Sequence, residues 1–322
     1  MIDGVLPFAK YRGETSFRSL WRVKRALGTK KLGHTGTLDS FADGLLVVLS
    51  GSYTRLVPFI TACDKEYLAR VSFGVETDTL DPCGSVVANG PIPSLRDIES
   101  SLPRFTGSIM QSPPEYSAIH VDGNRASDLA RKGDPRALPS RPIMINKISI
   151  IDSALSTGGT CDLLIECSKG TYIRSLARDI ARSLGSVAHL SALRRTRVGP
   201  FALDEAYGAE SLEPFIENGP NHKESAPKES IDGRGMESLL RAFTPDLARS
   251  VGLAPITIHS ERYGDFSHGR PLETSWFMSG QDDCPNLDDG NPHPVFHRGF
   301  LIGMVRKVCD RLRYDFVSGN LP

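Results

Sequence analysis

Apolar residues recur along the chain with two distinct periods, and each period predicts an element. Phe17, Leu20, Val23, Ala26 and Leu27 fall near helical spacing, with Thr15 or Ser16 placed to cap the start and Gly28 to stop the end. Arg18, Arg22 and Arg25 flank that stripe. A second helix is expected where Ile173, Leu176, Ala177, Ile180, Ala181 and Leu184 form a stripe that stops at Gly185, with Arg174, Arg178 and Arg182 recurring on one face. Ser94 reads as the N-cap of a short helix carrying Leu95, Ile98 and Leu102. Alternation with period two predicts strands at 66–73, with Tyr67, Ala69, Val71 and Phe73 on one face, and at 161–167, with Cys161, Leu163, Ile165 and Cys167 on one face. The apolar run at 45–50 adds another strand.

Between Pro113 and Pro142 the periodicity lapses into a basic stretch bearing Pro and Gly, too long for a plain connection. It reads as a projecting insert that grips a ligand. Residues 217–235 are polar and core-free, which marks a linker or surface excursion. Beyond them a short helix around 236–249 leads to strand-like pieces at 256–259, 295–305 and 312–317, a pattern that suits a small β-barrel. The expected division is a large domain at 1–215, a linker and helix at 216–250, and a small domain at 251–322.

Composition narrows the class. With 39% hydrophobic and 24% charged residues the chain is an ordinary globular one, and no apolar run approaches the roughly 18 residues of a membrane span. The N-terminus lacks a signal pattern, so a cytoplasmic protein is expected. Six cysteines are scattered without C-x-x-C pairs or zinc-like His spacing, which predicts reduced thiols packed as small hydrophobes and no structural metal. Net charge is zero, yet segments 10–31, 120–147 and 169–197 hold 21 Lys and Arg against 5 Asp and Glu, leaving 17 against 33 elsewhere. Such segregation is the footprint of a polyanion-binding face.

Two runs carry chemistry. Gly33-His34-Thr35-Gly36-Thr37-Leu38-Asp39 sets a carboxylate at the end of a glycine-punctuated loop, and Ser168-Lys169-Gly170-Thr171-Tyr172-Ile173-Arg174 supplies a cation to pair with it. A carboxylate in a tight loop can attack carbon and leave again. Tyr67, at the start of a strand, can stack on an extruded base. Taken singly each has a bland reading: Asp39 as a turn former, Tyr67 as core, Arg174 as a phosphate contact, His34 as a turn residue. Together they point to covalent chemistry on an RNA base.

These blocks, with Ala42 and Gly44, Asp64-Lys65-Glu66-Tyr67, Pro113-Pro114, Tyr116-Ser117-Ala118, Asp122-Gly123, Ala130-Arg131, Leu193-Arg194-Arg195 and Val198-Gly199, resemble in order the bacterial tRNA pseudouridine-55 synthases, the TruB family. The resemblance implies an α+β protein with a mixed, largely antiparallel sheet, flanking helices, and a small C-terminal β-barrel similar to a PUA domain. It implies isomerisation of one T-loop uridine of tRNA, with no cofactor and no metal, by a monomer whose partner is the T-arm. By position it makes Asp39 the nucleophile, Tyr67 the aromatic packed on the base, Arg174 the paired cation, Tyr172 a second site tyrosine, Leu193 an apolar wall and His34 a holder of the everted loop. Lys10, Lys169, Arg131 and Arg178 are expected to contact substrate, and 113–142 to close over the T-arm.

Three positions depart from the family pattern. Tyr11 and Ser40 stand where proline is usual, and Ser127 replaces an aromatic of the insert. Proline at 40 would pre-set the backbone, so Ser40 predicts a less rigid catalytic loop. Two rival readings share the motifs: a non-catalytic tRNA-folding chaperone, and a guide-dependent synthase subunit acting on ribosomal RNA.

Overall fold

The computed structural model describes residues 3–134, 136–215, 233–279, 282–283 and 287–318. In chain order the first part contributes β1 (Gly4–Lys10), helix α1 (Ser16–Ala26), β2 (Leu32–His34), β3 (Asp43–Ser50), β4 (Lys65–Phe73), β5 (Gly107–Gln111), helix α2 (Ala126–Arg131), β6 (Arg141–Ala154), β7 (Thr160–Cys167), helix α3 (Ile173–Ser183), β8 (Ala188–Val198) and β9 (Phe201–Ala202). Nine strands form one sheet in the order β1-β3-β8-β4-β7-β6-β5, with β2 beside β3 and β9 beside β8. All pairs are antiparallel except β3 with β8. This is the α+β class that the strand and helix periods suggest.

The elements follow from their residues. Strand β4 alternates as expected, burying Lys65, Tyr67, Ala69, Val71 and Phe73, and Cys161, Leu163, Ile165 and Cys167 of β7 join the same core. Helix α3 lays Ile173, Leu176, Ala177, Ile180 and Ala181 on that core. Gly185 ends it at φ +66°.

Helix α1 departs from its expected stripe. Thr15 caps it as predicted, but Phe17 is 77% exposed and the buried face is Ser16, Ser19 and Val23. The reason is polar: the Ser16 hydroxyl binds Leu38, and the Ser19 hydroxyl donates to buried Glu14.

The single parallel junction is short, with Asp43 beside Arg194 and Gly44 beside Arg195. Gly44 sits at φ +106°, and a Cβ there would lie 2.4 Å from the Arg195 carbonyl oxygen and 2.7 Å from its nitrogen. The strands can approach this closely only because position 44 has no side chain. Under the junction the Arg194 guanidinium grips the fully buried Asp43 carboxylate at 2.6 and 3.0 Å.

The C-terminal part is a six-stranded sheet of β10 (Ile256–Ile258), β11 (Phe277–Ser279), β12 (Asp282–Asp283), β13 (Pro292–His297), β14 (Phe300–Val308) and β15 (Arg311–Val317), ordered β12-β11-β10-β13-β14-β15. Among the described residues β12 and β15 do not pair, so the expected barrel is an open sheet there. The expected strand at 295–305 is a hairpin: Arg298 at φ +50° and Gly299 at φ +84° turn the chain between β13 and β14. The expected helix at 236–249 is two short ones, Gly233–Ser238 and Pro245–Ser250, because Thr244 caps a new start with Pro245 behind it. Most of the 217–235 linker lies outside the described residues.

This part shares its core with the large sheet. Phe243, Phe296, Leu301, Met304 and Phe316 pack with Val5, Val47, Tyr53, Leu56 and Val198. Arg55 donates to the Asp315 carbonyl and lies over the Phe316 ring. Of the thiols, Cys161 and Cys167 are packed as expected, and burial pushes both up to about 12. Cys83 and Cys309 are exposed instead, because both fall in turns.

Gly44→Ala is expected to lower unfolding free energy by about 2 to 4 kcal/mol, since it adds both a backbone clash and a disfavoured φ. A urea titration in which the variant stays within about 0.5 kcal/mol of wild type would show that β3 and β8 separate freely.

Candidate active site

The loop after β2 presents Asp39 by fixing the residues on either side of it. The Ser16 hydroxyl accepts from the Leu38 N–H at 2.9 Å and donates to the Leu38 carbonyl at 3.1 Å. The Gly13 N–H donates to the Ser40 carbonyl at 2.7 Å, and the Ala42 N–H to the Asp39 carbonyl at 3.1 Å. Lys10 reaches from β1 to the Ala42 carbonyl at 2.5 Å. The loop with Ser40 is thus held by hydrogen bonds to the backbone on both sides of Asp39.

Behind Asp39 stands Arg174, in the first turn of α3. Its Nε is 2.8 Å from Asp39 Oδ2 and its Nη2 donates to Oδ1 at 3.2 Å, a two-point grip. The same guanidinium donates to the Thr79 carbonyl at 2.8 Å and the Tyr116 carbonyl at 3.1 Å, and lies 3.7 Å from Asp81. The Arg174 side chain is 6% exposed and that of Asp39 is 38% exposed. The arginine is thus walled in by protein acceptors while the carboxylate opens outward.

It opens into a cavity of about 460 Å³ lined by Asp39, Lys65, Tyr67, Tyr116, Lys169, Tyr172, Arg174, Leu193 and Arg195 among others, with Arg125, Ser127 and Arg131 of the insert on its far wall. A wider groove of about 660 Å³ beside Leu102, Ile148 and Ile150 holds only one ionisable side chain, Glu99, so the chemistry belongs to the smaller cavity. Tyr67 is nearly closed off on β4, and burial pushes its hydroxyl up, keeping it protonated. Leu193 stands on the neighbouring strand β8, opposite Ala69. Tyr172 is placed through its backbone: the Gln111 amide accepts from its N–H at 2.9 Å and donates to its carbonyl at 3.2 Å.

Seven of the ten residues singled out in the sequence meet here: Asp39, Tyr67, Arg131, Lys169, Tyr172, Arg174 and Leu193. Three do not line the cavity. Lys10 is fully buried and holds the loop rather than a substrate. His34 lies half-buried in β2, its Nδ1 buried without a partner, and burial pushes its pKa down. Arg178 is turned onto Asp179 and the Ser112 carbonyl, where it secures the root of the insert.

Arg195, Lys65 and Gln111 were not singled out. Arg195 is almost fully buried, bonds the Leu45 and Gly36 carbonyls, and lies against Tyr67. Lys65 bonds the Thr61 and Cys63 carbonyls. Its place two residues before Tyr67 on a period-two strand was the available signal. Among the described residues no group of three or more His, Cys, Asp or Glu is arranged to hold a metal.

A family model described as the TruB family pseudouridylate synthase N-terminal domain matches residues 24–173, and one for the tRNA pseudouridylate synthase B C-terminal domain matches 174–241. The tRNA pseudouridine synthase B of Treponema denticola is 41% identical over 98% of both chains, and that of Treponema pallidum 36% identical over 98% of both. The chain belongs to the TruB family. The protein of the same name from Borreliella burgdorferi is 46% identical over 66% of this chain and 75% of its own. Solved chains from an H/ACA ribonucleoprotein bound to a substrate RNA and from a Cbf5-Nop10-Gar1 complex share the fold, each with a TM-score of 0.65, at 20% and 21% identity over 99% and 98% of this chain and 85% and 84% of theirs.

The two TruB models meet between Ile173 and Arg174, inside α3. That junction splits the Asp39–Arg174 pair and assigns β8, which lies within the sheet between β3 and β4, to the second model, so it is not a boundary between folded units. The TruB departures at 11 and 127 also find uses. The Tyr11 hydroxyl donates to the Gly208 carbonyl at 3.0 Å beneath the Arg22 guanidinium, and Ser127 lines the cavity.

Burial pulls Lys10 down to about 8, against the raising pull of Asp43, Glu14 and Asp39. From about pH 8 to pH 10.5 the unfolded chain still holds this proton and the folded one has released it, so stability rises with pH across that window. Urea midpoints at about pH 7.5 and about pH 9.5 are expected to show a larger gain for wild type than for Lys10→Met. Equal gains would mean that the buried ammonium keeps an ordinary pKa.

Proposed function

We propose that this chain isomerises uridine to pseudouridine in tRNA, at position 55 of the T-loop, with Asp39 as nucleophile. The observation that carries the reading is the half-open carboxylate, held at two points by a buried arginine, on the floor of a cavity walled by Tyr67, Tyr172 and Leu193. The relatives named tRNA pseudouridine synthase B support both the reaction and the substrate.

Each residue then has a task. Cations at the cavity mouth, Arg125, Arg131 and Lys169, meet the T-arm phosphates, and affinity falls as salt rises. The target uridine leaves its stack at a cost of a few kcal/mol, which stacking on Tyr67 and burial against Leu193 offset. Asp39 bonds to one carbon of the nucleotide as the bond between ribose C1′ and uracil N1 breaks, and the ring turns. Once C1′ has joined C5, the bond to Asp39 breaks and the carboxylate is regenerated. C1′ rejoins the base at C5, the C5 hydrogen departs as a proton, and N1 gains one, so atoms balance without an outside reagent. Arg174 holds the carboxylate in one rotamer for the attack and pairs with it again once it is released.

The insert at 113–142 springs from paired strands, Gln111 facing Arg141, and its root is tied by the Ser112 and Ser140 hydroxyls at 2.7 Å. Its Tyr116 carbonyl ends on Arg174, which links the lid over the T-arm to the cation behind the nucleophile. The reading assigns catalysis to residues 1–215 and further RNA contacts to 251–322. It also sets the protein in the cytoplasm, and no helix among the described residues is long and apolar enough to cross a membrane.

Asp39→Asn is expected to abolish tritium release from a T-arm stem-loop labelled at uridine C5, while stem-loop affinity stays within about threefold. Asparagine keeps the shape and loses the nucleophile. Measurable release by that variant would remove Asp39 from its role.

A further inference from the structure

The three cation-rich segments do not contribute equally to the surface. In 169–197 six of the seven cations are engaged by protein acceptors, though Arg182 stays exposed: Arg174 on Asp39, Arg178 on Asp179, Arg182 on Glu76, Arg194 on Asp43, Arg197 on Glu66 and Glu166, and Arg195 on two carbonyls. Segment 10–31 is the opposite case. Its one acid, Glu14, is buried and neutralised by Arg22 and Ser19, and Lys10 is buried on carbonyls.

What remains outside is one face of α1. Phe17, Arg18, Trp21, Lys24 and Arg25 are all exposed, and at 3.6 residues per turn they fall within about a third of the helix circumference. Phe17 is 77% and Trp21 53% exposed, and the Arg25 guanidinium lies 5.7 Å over the Trp21 ring. Lys30 and Lys31, also exposed, continue the strip toward the His34 loop. At its other end the helix touches the cavity, since Ser16 holds Leu38 and Leu38 is part of the lining. Two flat apolar rings set among cations that have no ion-pair partner among the described residues, on a helix that carries no acid, suit unpaired nucleotides: the rings take a base and the cations its phosphates.

We propose that this face docks an unpaired nucleotide of the same tRNA lying outside the T-arm. The inference rests on the tRNA reading above. Bases of a stem are already stacked and offer no face to an aromatic side chain. Within the T-arm the unpaired bases are those of the loop, which the Asp39 cavity and the insert occupy. A base that stacks on Trp21 or Phe17 therefore comes from elsewhere in the folded RNA. The strip adds affinity for whole tRNA that a stem-loop cannot use.

The test compares full-length tRNA with an isolated T-arm stem-loop, binding each by fluorescence anisotropy to wild type and to the double variant Phe17→Ser, Trp21→Ser. Both side chains are exposed, and matching thermal unfolding confirms that the variant is folded. Affinity for full-length tRNA is expected to fall about tenfold or more, and affinity for the stem-loop to change by less than about twofold. Full-length tRNA, and not the stem-loop, is also expected to quench the indole emission that disappears in Trp21→Phe; the chain's other tryptophan, Trp276, is buried. Equal losses on both RNAs, or no loss on either, overturn the proposal. So does a wild-type dimer in sedimentation that the double variant splits, because a second copy would then cover the face. A tRNA-selective loss in a protein that turns over neither RNA would leave this docking site standing and sink only the reaction.

Discussion

The structure depends on how one guanidinium distributes its donors. Arg174 binds the Asp39 carboxylate at two points and spends its remaining reach on the Thr79 and Tyr116 carbonyls. Three segments far apart in the chain meet on it: the Asp39 loop, the loop after β4 and the root of the insert. A guanidinium buried this deeply must have acceptors on every side, and the fold supplies them from backbone as well as carboxylate. Lysine would offer one ammonium in place of a planar fork and could not satisfy the carboxylate and both carbonyls in the same geometry.

A second tier holds that arrangement from below. Strands β3 and β8 touch through Gly44, the Arg194 guanidinium locks Asp43, and Arg195 ties Tyr67's surroundings to the Gly36 and Leu45 carbonyls. Lys10 closes the loop from β1. Arg194, Arg195 and Lys10 are thus each pinned by protein acceptors around the cavity. Rigid support behind the half-exposed Asp39 keeps its carboxylate in one position, which is the condition for the attack proposed for it.

Local periodicity carried most of the large domain. The alternation of β4 and β7, the Thr15 and Ser94 caps and the stop at Gly185 are short-range signals, and the structure keeps them. The pairing of Asp39 with Arg174 was legible from two motifs, because the chemistry of each needs the other. What could not be read is where long side chains end. Arg174, Arg178 and Arg182 share a helix face by spacing alone, yet their acceptors lie 135, 66 and 106 residues away. The same limit hid Lys10's carbonyl partner and the exposure of Phe17, whose place in a core stripe was taken by serines with tertiary partners. The turn at Arg298-Gly299 was missed because it interrupts an apolar run with only two residues. The shared core around Phe243 and Phe316 was invisible because it joins opposite ends of the sequence.

Formal charge is therefore a poor map of an RNA-binding surface unless internal pairing is removed first. The 169–197 segment holds seven cations to one acid, close to the eight to one of 10–31, yet six of its seven are engaged by protein acceptors. Its arginines build the site and position its parts. The insert and α1 carry exposed cations, among them Arg125 and Lys132 of the insert and Arg18, Lys24 and Arg25 of α1, and both reach the cavity, the insert through its lining residues and α1 through Ser16 on Leu38. One side grips the RNA that carries the reacting base. The other, with its exposed rings, has the chemistry to distinguish a folded RNA from a simple stem-loop, because stacking needs an unpaired base at a fixed distance from the pocket. On the proposed roles, affinity and catalysis draw on different arginines: a substitution on the outer face of α1 acts on which RNA is held, while one at Arg174 acts on what happens to it.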